Sequence, residues 1–144
     1  MRIFLETCLL FTGIAAGAAL FRAEQPQQWN QATVLSVHDG DTLRANVKLW
    51  TDLTLEDQDV RIADFDAPEI SRTRRTVTVT DAEIVRGKAA RDDLRTLLAN
   101  ADAVYLSPTG KRDPYGRLSA RVSVWDDGQL TDVAEWMDQH GHSR

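Results

Sequence analysis

The chain has 144 residues, room for one compact domain. Its 42% hydrophobic and 27% charged residues exclude a disordered or fibrous protein. A formal charge of −5 argues against a protein that coats nucleic acid through a broad basic surface, but leaves room for an enzyme that grips one or two phosphates.

Thr7–Phe21 is an uncharged stretch of fifteen residues, shorter than the roughly 20 that span a bilayer unaided. Arg2 precedes it, and Ala16-Gly17-Ala18 resembles a small-x-small cleavage site. Residues 1–23 therefore read as a signal peptide or an N-terminal membrane anchor, with a buried helix as a third alternative. The first two place the protein outside the cytoplasm (periplasmic or secreted) or at the inner membrane facing outward, with attachment through residues 7–21. The only cysteine, Cys8, lies in this leader, so a cleaved product would bind no metal through sulfur.

Residues 24–30 form a polar connector, and 31–144 read as the folded domain. Gln31–His38 alternates as a first strand, and Asp39-Gly40 signals a turn. Leu43, Ala45, Val47 and Leu49 give a second strand with one buried face. Thr51–Asp59 reads as a polar reversal, with extension of the hairpin through Leu53 and Leu55 as the alternative. Val60 and Ile62 then face inward in a third strand, which ends where Pro68 forces extended backbone at Ala67. The spacing of Ala90, Leu94, Leu97, Leu98 and Ala101 predicts a helix over Asp81–Asn100, capped by Asp81. Ala103–Leu106 is a fourth strand and Leu118–Val124 a fifth, ended by Asp126-Asp127-Gly128. A short helix holding Val133, Trp136 and Met137 follows, started by Thr131. Trp29 and Trp50 read as packing residues.

Three strands, a helix, two strands and a helix predict a mainly β fold with external helices. It is an OB-fold five-stranded antiparallel barrel in β3-α-β2-α order, closed because an open sheet exposes its edges.

Four short segments carry chemistry: HDGDT (38–42), RIADFDAPE (61–69), GKAA (87–90) and DPYGR (113–117). Each lies at a strand end or turn, where functional groups collect on a rigid scaffold. Asp41 and Asp66 meet on one rim if strands two and three pair, and their hard oxygens with a backbone carbonyl suit Ca²⁺ or Mg²⁺. The alternative for Asp39-Gly40-Asp41 is a turn that caps its own amides. Arg61 and Arg117 either clamp a phosphate or lie over the barrel as ordinary surface arginines. Glu69 is the remaining carboxylate, able to orient water.

In their order and spacing these segments resemble the staphylococcal nuclease (thermonuclease) family, over about Gln31–Gly141. The resemblance implies a metal-dependent nuclease, an endonuclease-type phosphodiester hydrolase acting on DNA or RNA and breaking the P–O5′ bond. It implies Ca²⁺ as cofactor, with Mg²⁺ the lesser choice, bound by Asp41, Asp66 and the Ala67 backbone carbonyl, with Asp39 just outside. It implies Arg61 and Arg117 as phosphate-binding residues, Glu69 as general base and Tyr115 as a nucleotide contact, in a monomer. Two further readings stand beside it: a non-catalytic OB-type module that binds nucleic acid or protein, and a phosphodiesterase for small nucleotides. Pro114, where versions of the DPYGR segment in that family carry lysine, removes one phosphate contact.

Overall fold

The computed structural model describes residues 29–72 and 78–144. Its elements run β1 (Asn30–Val37), β2 (Thr42–Trp50), β3 (Leu53–Ile62), α1 (Asp81–Asn100), β4 (Ala103–Arg112), β5 (Leu118–Asp126), β6 (Gln129–Asp132) and α2 (Val133–Gln139). The strands form one sheet in the order β3-β2-β1-β4-β5-β6. It closes on itself where β3 pairs with β5, Val60 opposite Leu118 and Ile62 opposite Ala120. That closing pair is parallel and every other pair antiparallel, so the barrel is mixed. Five closed strands, one extra strand and two helices make an OB-type barrel.

The alternating residues of β2 bury as their period demands: Leu43, Ala45 and Val47 are fully enclosed. β1 buries Ala32 and half-buries Val34, yet also buries Val37, a residue of opposite parity. A register shift between Val34 and Ser36 against β2 makes this consistent, because one extra residue turns the following side chains to the other face. With Val60, Ile62, Leu106, Ala120 and Val122 these side chains fill the barrel, and Ala90, Leu94 and Leu98 of α1 join the same core.

The reversal expected over Thr51–Asp59 is mostly strand, since β3 begins at Leu53. Its first residues are largely exposed because the β2–β3 hairpin runs on beyond the core, which hides the alternation. Asp57 takes φ 55° at a register shift, and its N–H donates to Asn46 Oδ1 at 2.8 Å. Asp126-Asp127-Gly128 ends β5 as expected and turns the chain into an additional strand, β6, with Asp127 and Gly128 both at positive φ. Trp50, expected to pack, is 70% exposed at the hairpin tip.

Both helices are capped one residue away from expectation. Thr80 rather than Asp81 caps α1, accepting from the Glu83 N–H at 3.2 Å, and Asp132 rather than Thr131 caps α2, accepting from Glu135 at 3.1 Å.

The membrane attachment and inner-membrane location expected from the leader are corrected here. Among the described residues no helix is long and apolar enough to cross a membrane. α1, the longest, carries Arg86, Lys88, Arg91, Asp92, Asp93 and Arg95 along its length. Residues 7–21 themselves lie outside the described residues, as do the expected signal peptide and most of the connector.

Candidate functional site

The segment between β1 and β2 is a self-capped turn. The His38 and Asp39 N–H groups both donate to Thr42 O, and the Asp41 N–H donates to Asp39 Oδ1 at 3.2 Å. The turn lies flat against its neighbours because Gly40 has no side chain: a Cβ there would come within 2.7 Å of the Ala67 Cβ and 2.9 Å of the Ala90 Cβ. Asp39 thus serves the turn itself, whereas Asp41, only 5% exposed, points inward. Its Oδ1 accepts from Thr42 Oγ1 at 2.8 Å and its Oδ2 from the Ala67 N–H at 3.2 Å. Burial, with repulsion from Asp39 added, pushes the Asp41 carboxyl up to about 6 despite these bonds and the nearby Arg61.

Arg61 sits opposite Thr42 in the β2–β3 ladder, near the end of β3. Its guanidinium lies between two carboxylates, Nη1 at 3.1 Å from Asp41 Oδ1 and Nη2 at 2.5 Å from Asp66 Oδ1. Burial disfavours its charge, but Asp41 and Asp66 outweigh that and hold its pKa above the ordinary arginine value.

The third piece is the DPYGR turn between β4 and β5. Asp113 organises it: Oδ1 accepts from the Tyr115 and Arg117 N–H groups, and O accepts from the Gly116 N–H at 2.9 Å. Pro114 presets the first turn position, and Gly116, at φ 83°, supplies the left-handed residue that returns the chain to β5. Asp113 Oδ2 also holds Arg117 Nε at 2.6 Å. Burial opposes this charge, but the bonds from Arg117 and Tyr115 prevail and keep the Asp113 carboxyl below its usual range. Arg117 Nη1 continues to Thr42 Oγ1 at 2.8 Å, and its guanidinium lies 5.5 Å from the centre of the Tyr115 ring. Tyr115 is 85% exposed.

Glu69 follows Ala67 and Pro68 on the loop after β3. The loop is pressed onto α1 at Gly87, where a Cβ would fall 2.4 Å from Glu69 O and 2.5 Å from Pro68 O. Glu69 Oε1 lies 3.5 Å from Arg144 Nη1.

Of the eight residues singled out from the sequence, Asp39, Asp41, Arg61, Ala67, Glu69, Tyr115 and Arg117 line one cleft of about 530 Å³. Asp66 lies around the rim and lines a neighbouring depression with Arg144. Sequence reasoning passed over Thr42 as a link, Asp113 as the turn organiser, and the Arg44–Asp59 pair, 2.9 Å apart, on the cleft wall. The first two lie inside the quoted motifs; the pair carries no local signal.

The Ca²⁺ site, and the Mg²⁺ alternative with it, is overturned. Among the described residues no group of three or more His, Cys, Asp or Glu comes together to hold a metal ion. The donor set does not fit one either. The Arg61 guanidinium stands between Asp41 and Asp66 as their shared cation, and Asp41 Oδ2 is already engaged by the Ala67 N–H.

No protein-family model matches the chain, and no curated protein matches it. The structure supports a generic OB-type barrel and does not make the chain a member of the thermonuclease family.

Proposed function

We propose that the cleft binds a phosphodiester of DNA or RNA and hydrolyses it as an endonuclease. The observation that carries this reading is the unbroken line Arg117–Thr42–Asp41–Arg61, with links of 2.8, 2.8 and 3.1 Å. It fixes two guanidiniums, one from β3 and one from the turn before β5, at the same cleft that Glu69 lines. Forked cations held in advance suit the equatorial oxygens of a phosphoryl group, where charge develops in the transition state. Glu69 orients and deprotonates the attacking water. The water oxygen bonds to phosphorus, the P–O5′ bond breaks, and the leaving oxygen on the Arg117 side takes a proton from solvent while Glu69 returns the one it accepted to solvent. The products are a 3′-phosphate and a 5′-hydroxyl. Tyr115 offers its exposed ring to the neighbouring base.

A second reading, a phosphodiesterase for small nucleotides, draws on the cleft's size and lip. About 530 Å³ is a small-molecule volume, and Asp39 on the wall repels the flanking phosphates of a long strand. The test is to incubate the full chain with single-stranded DNA, RNA and a dinucleotide and to identify the ends formed. Cleavage of the polymers to 5′-hydroxyl ends supports the nuclease. Cleavage of the dinucleotide alone supports the second reading. No cleavage by folded protein sinks both and leaves a non-catalytic binding module.

A further inference from the structure

The chain beyond α2 takes a defined path back to the wall of the cleft. Gly141 adopts φ 76°, and the N–H groups of Gly141 and His142 donate to Asp138 O and Met137 O at 2.9 and 3.0 Å. This pair of bonds is a Schellman motif, which reverses the chain at a left-handed residue. The next residues bind α1 and the Glu69 loop. His142 Nε2 lies 2.8 Å from Asp93 Oδ2 on α1, and the Arg144 N–H donates to Asp66 O at 2.9 Å. The Arg144 guanidinium then forks, Nη1 at 3.5 Å from Glu69 Oε1 and Nη2 at 3.2 Å from Glu83 Oε1 in the first turn of α1. All three side chains are largely enclosed, with 27%, 24% and 13% of their surface exposed for Arg144, Glu69 and Glu83. Glu83 Oε1 is buried without a hydrogen bond among the described residues, so the guanidinium beside it is its compensating charge.

We infer that Arg144 is a positioning residue that holds the Glu69 carboxylate in its working orientation; this rests on the hydrolase reading. A glutamate side chain has several rotamers, and freezing them costs entropy that a partner on the head group must offset. A planar guanidinium anchored through Glu83 to α1, and through its own backbone to Asp66, is such a partner. Arg144 is not part of the cleft lining, so its contribution acts through Glu69 and not through contact with the phosphodiester.

The experiment compares the full wild-type chain with R144A, R144K and E83Q. Two quantities are read: steady-state hydrolysis of a single-stranded oligonucleotide, and the Glu69 side-chain carboxyl resonance by carbon-13 NMR. R144A is expected to lower kcat about ten- to a hundredfold with KM nearly unchanged, since misplacing one group by a fraction of an ångström has that effect. R144K recovers much of the rate, and the Glu69 resonance moves in R144A and far less in R144K. A folded R144A with wild-type kcat, a change confined to KM, or an unmoved Glu69 resonance overturns the inference. If R144A does not fold, R144K and E83Q decide by the same readings, and wild-type values in both overturn it. If the wild-type chain hydrolyses nothing, the hydrolase reading falls. The Glu69 resonance then decides alone: movement in R144A upholds the positioning contact and no movement overturns it.

Discussion

Arg117 reaches Asp41 through one hydroxyl: Thr42 Oγ1 accepts from Arg117 Nη1 and donates to Asp41 Oδ1, each at 2.8 Å. A single buried oxygen thus ties the turn before β5 to the start of β2. T42V keeps the shape and removes both bonds, leaving a buried carboxylate oxygen with one partner fewer. We expect a loss of about 1–3 kcal/mol in urea unfolding and weaker substrate binding as Arg117 loses its anchor. A variant with wild-type stability and KM would show that the hydroxyl connects nothing of consequence.

E69Q and R117A probe the chemistry directly. Replacing Glu69 removes the proposed base at nearly constant shape, and hydrolysis should fall about 10²–10⁴-fold. R117A removes a donor to the developing charge and should lower kcat about 10²–10³-fold. Circular dichroism and melting should show both variants folded. Unchanged turnover in either removes that residue from the mechanism.

The raised Asp41 carboxyl makes stability depend on pH in a definite direction. The folded chain holds this group at about 6, against 3.8 for the free side chain, chiefly because burial penalises its charge. Between those values the folded state keeps a proton that the unfolded state releases. Its contribution to stability is therefore complete below about pH 4 and is lost as pH rises through 6. D41N, which carries no charge, should equal the wild type near pH 4 and exceed it by roughly 1–3 kcal/mol at pH 7. Urea titrations at pH 4, 5 and 7 read the difference, and a gap that does not vary with pH would contradict the burial argument.

G87A sets two effects of opposite sign against each other. In an open helix, alanine for glycine stabilises by about 1 kcal/mol. Here the new methyl would meet Glu69 O at 2.4 Å and Pro68 O at 2.5 Å, both backbone atoms. Such overpacking costs about 1–3 kcal/mol, so the net change should be destabilising, and Glu69 should shift with its loop. A stabilised G87A with full activity would mean that the helix and loop separate easily.

Local pattern made much of this legible. The period of Leu43, Ala45 and Val47 located β2, and the spacing of Ala90, Leu94 and Leu98 located α1 from Asp81 to Asn100. The motifs drew attention to seven residues that share one cleft. The opening of β3 was hidden because the Leu53–Asp59 stretch lies beyond the core and has no buried face to impose alternation. β6 was hidden because Asp126-Asp127-Gly128 signals a turn without saying what the chain does next. The role of Arg61 between Asp41 and Asp66 was misread as a metal site beside an arginine, since sequence gives the residues of a charge cluster but not which cation stands between the acids. Arg144 was out of reach because its place depends on a chain reversal at Gly141 and on contacts with residues far away in sequence.

The parallel seam between β3 and β5 joins Val60 to Leu118 across about half the described chain. A contact of such long range forms late, after the entropy of closing a large loop has been overcome. Arg117 immediately precedes the strand that makes the seam. A nascent polypeptide halted before β5 therefore has an unprotected β3 edge and an Arg117 that no strand yet fixes beside Thr42. On the proposed reading, folding to completion and assembling the two-arginine grip become the same event.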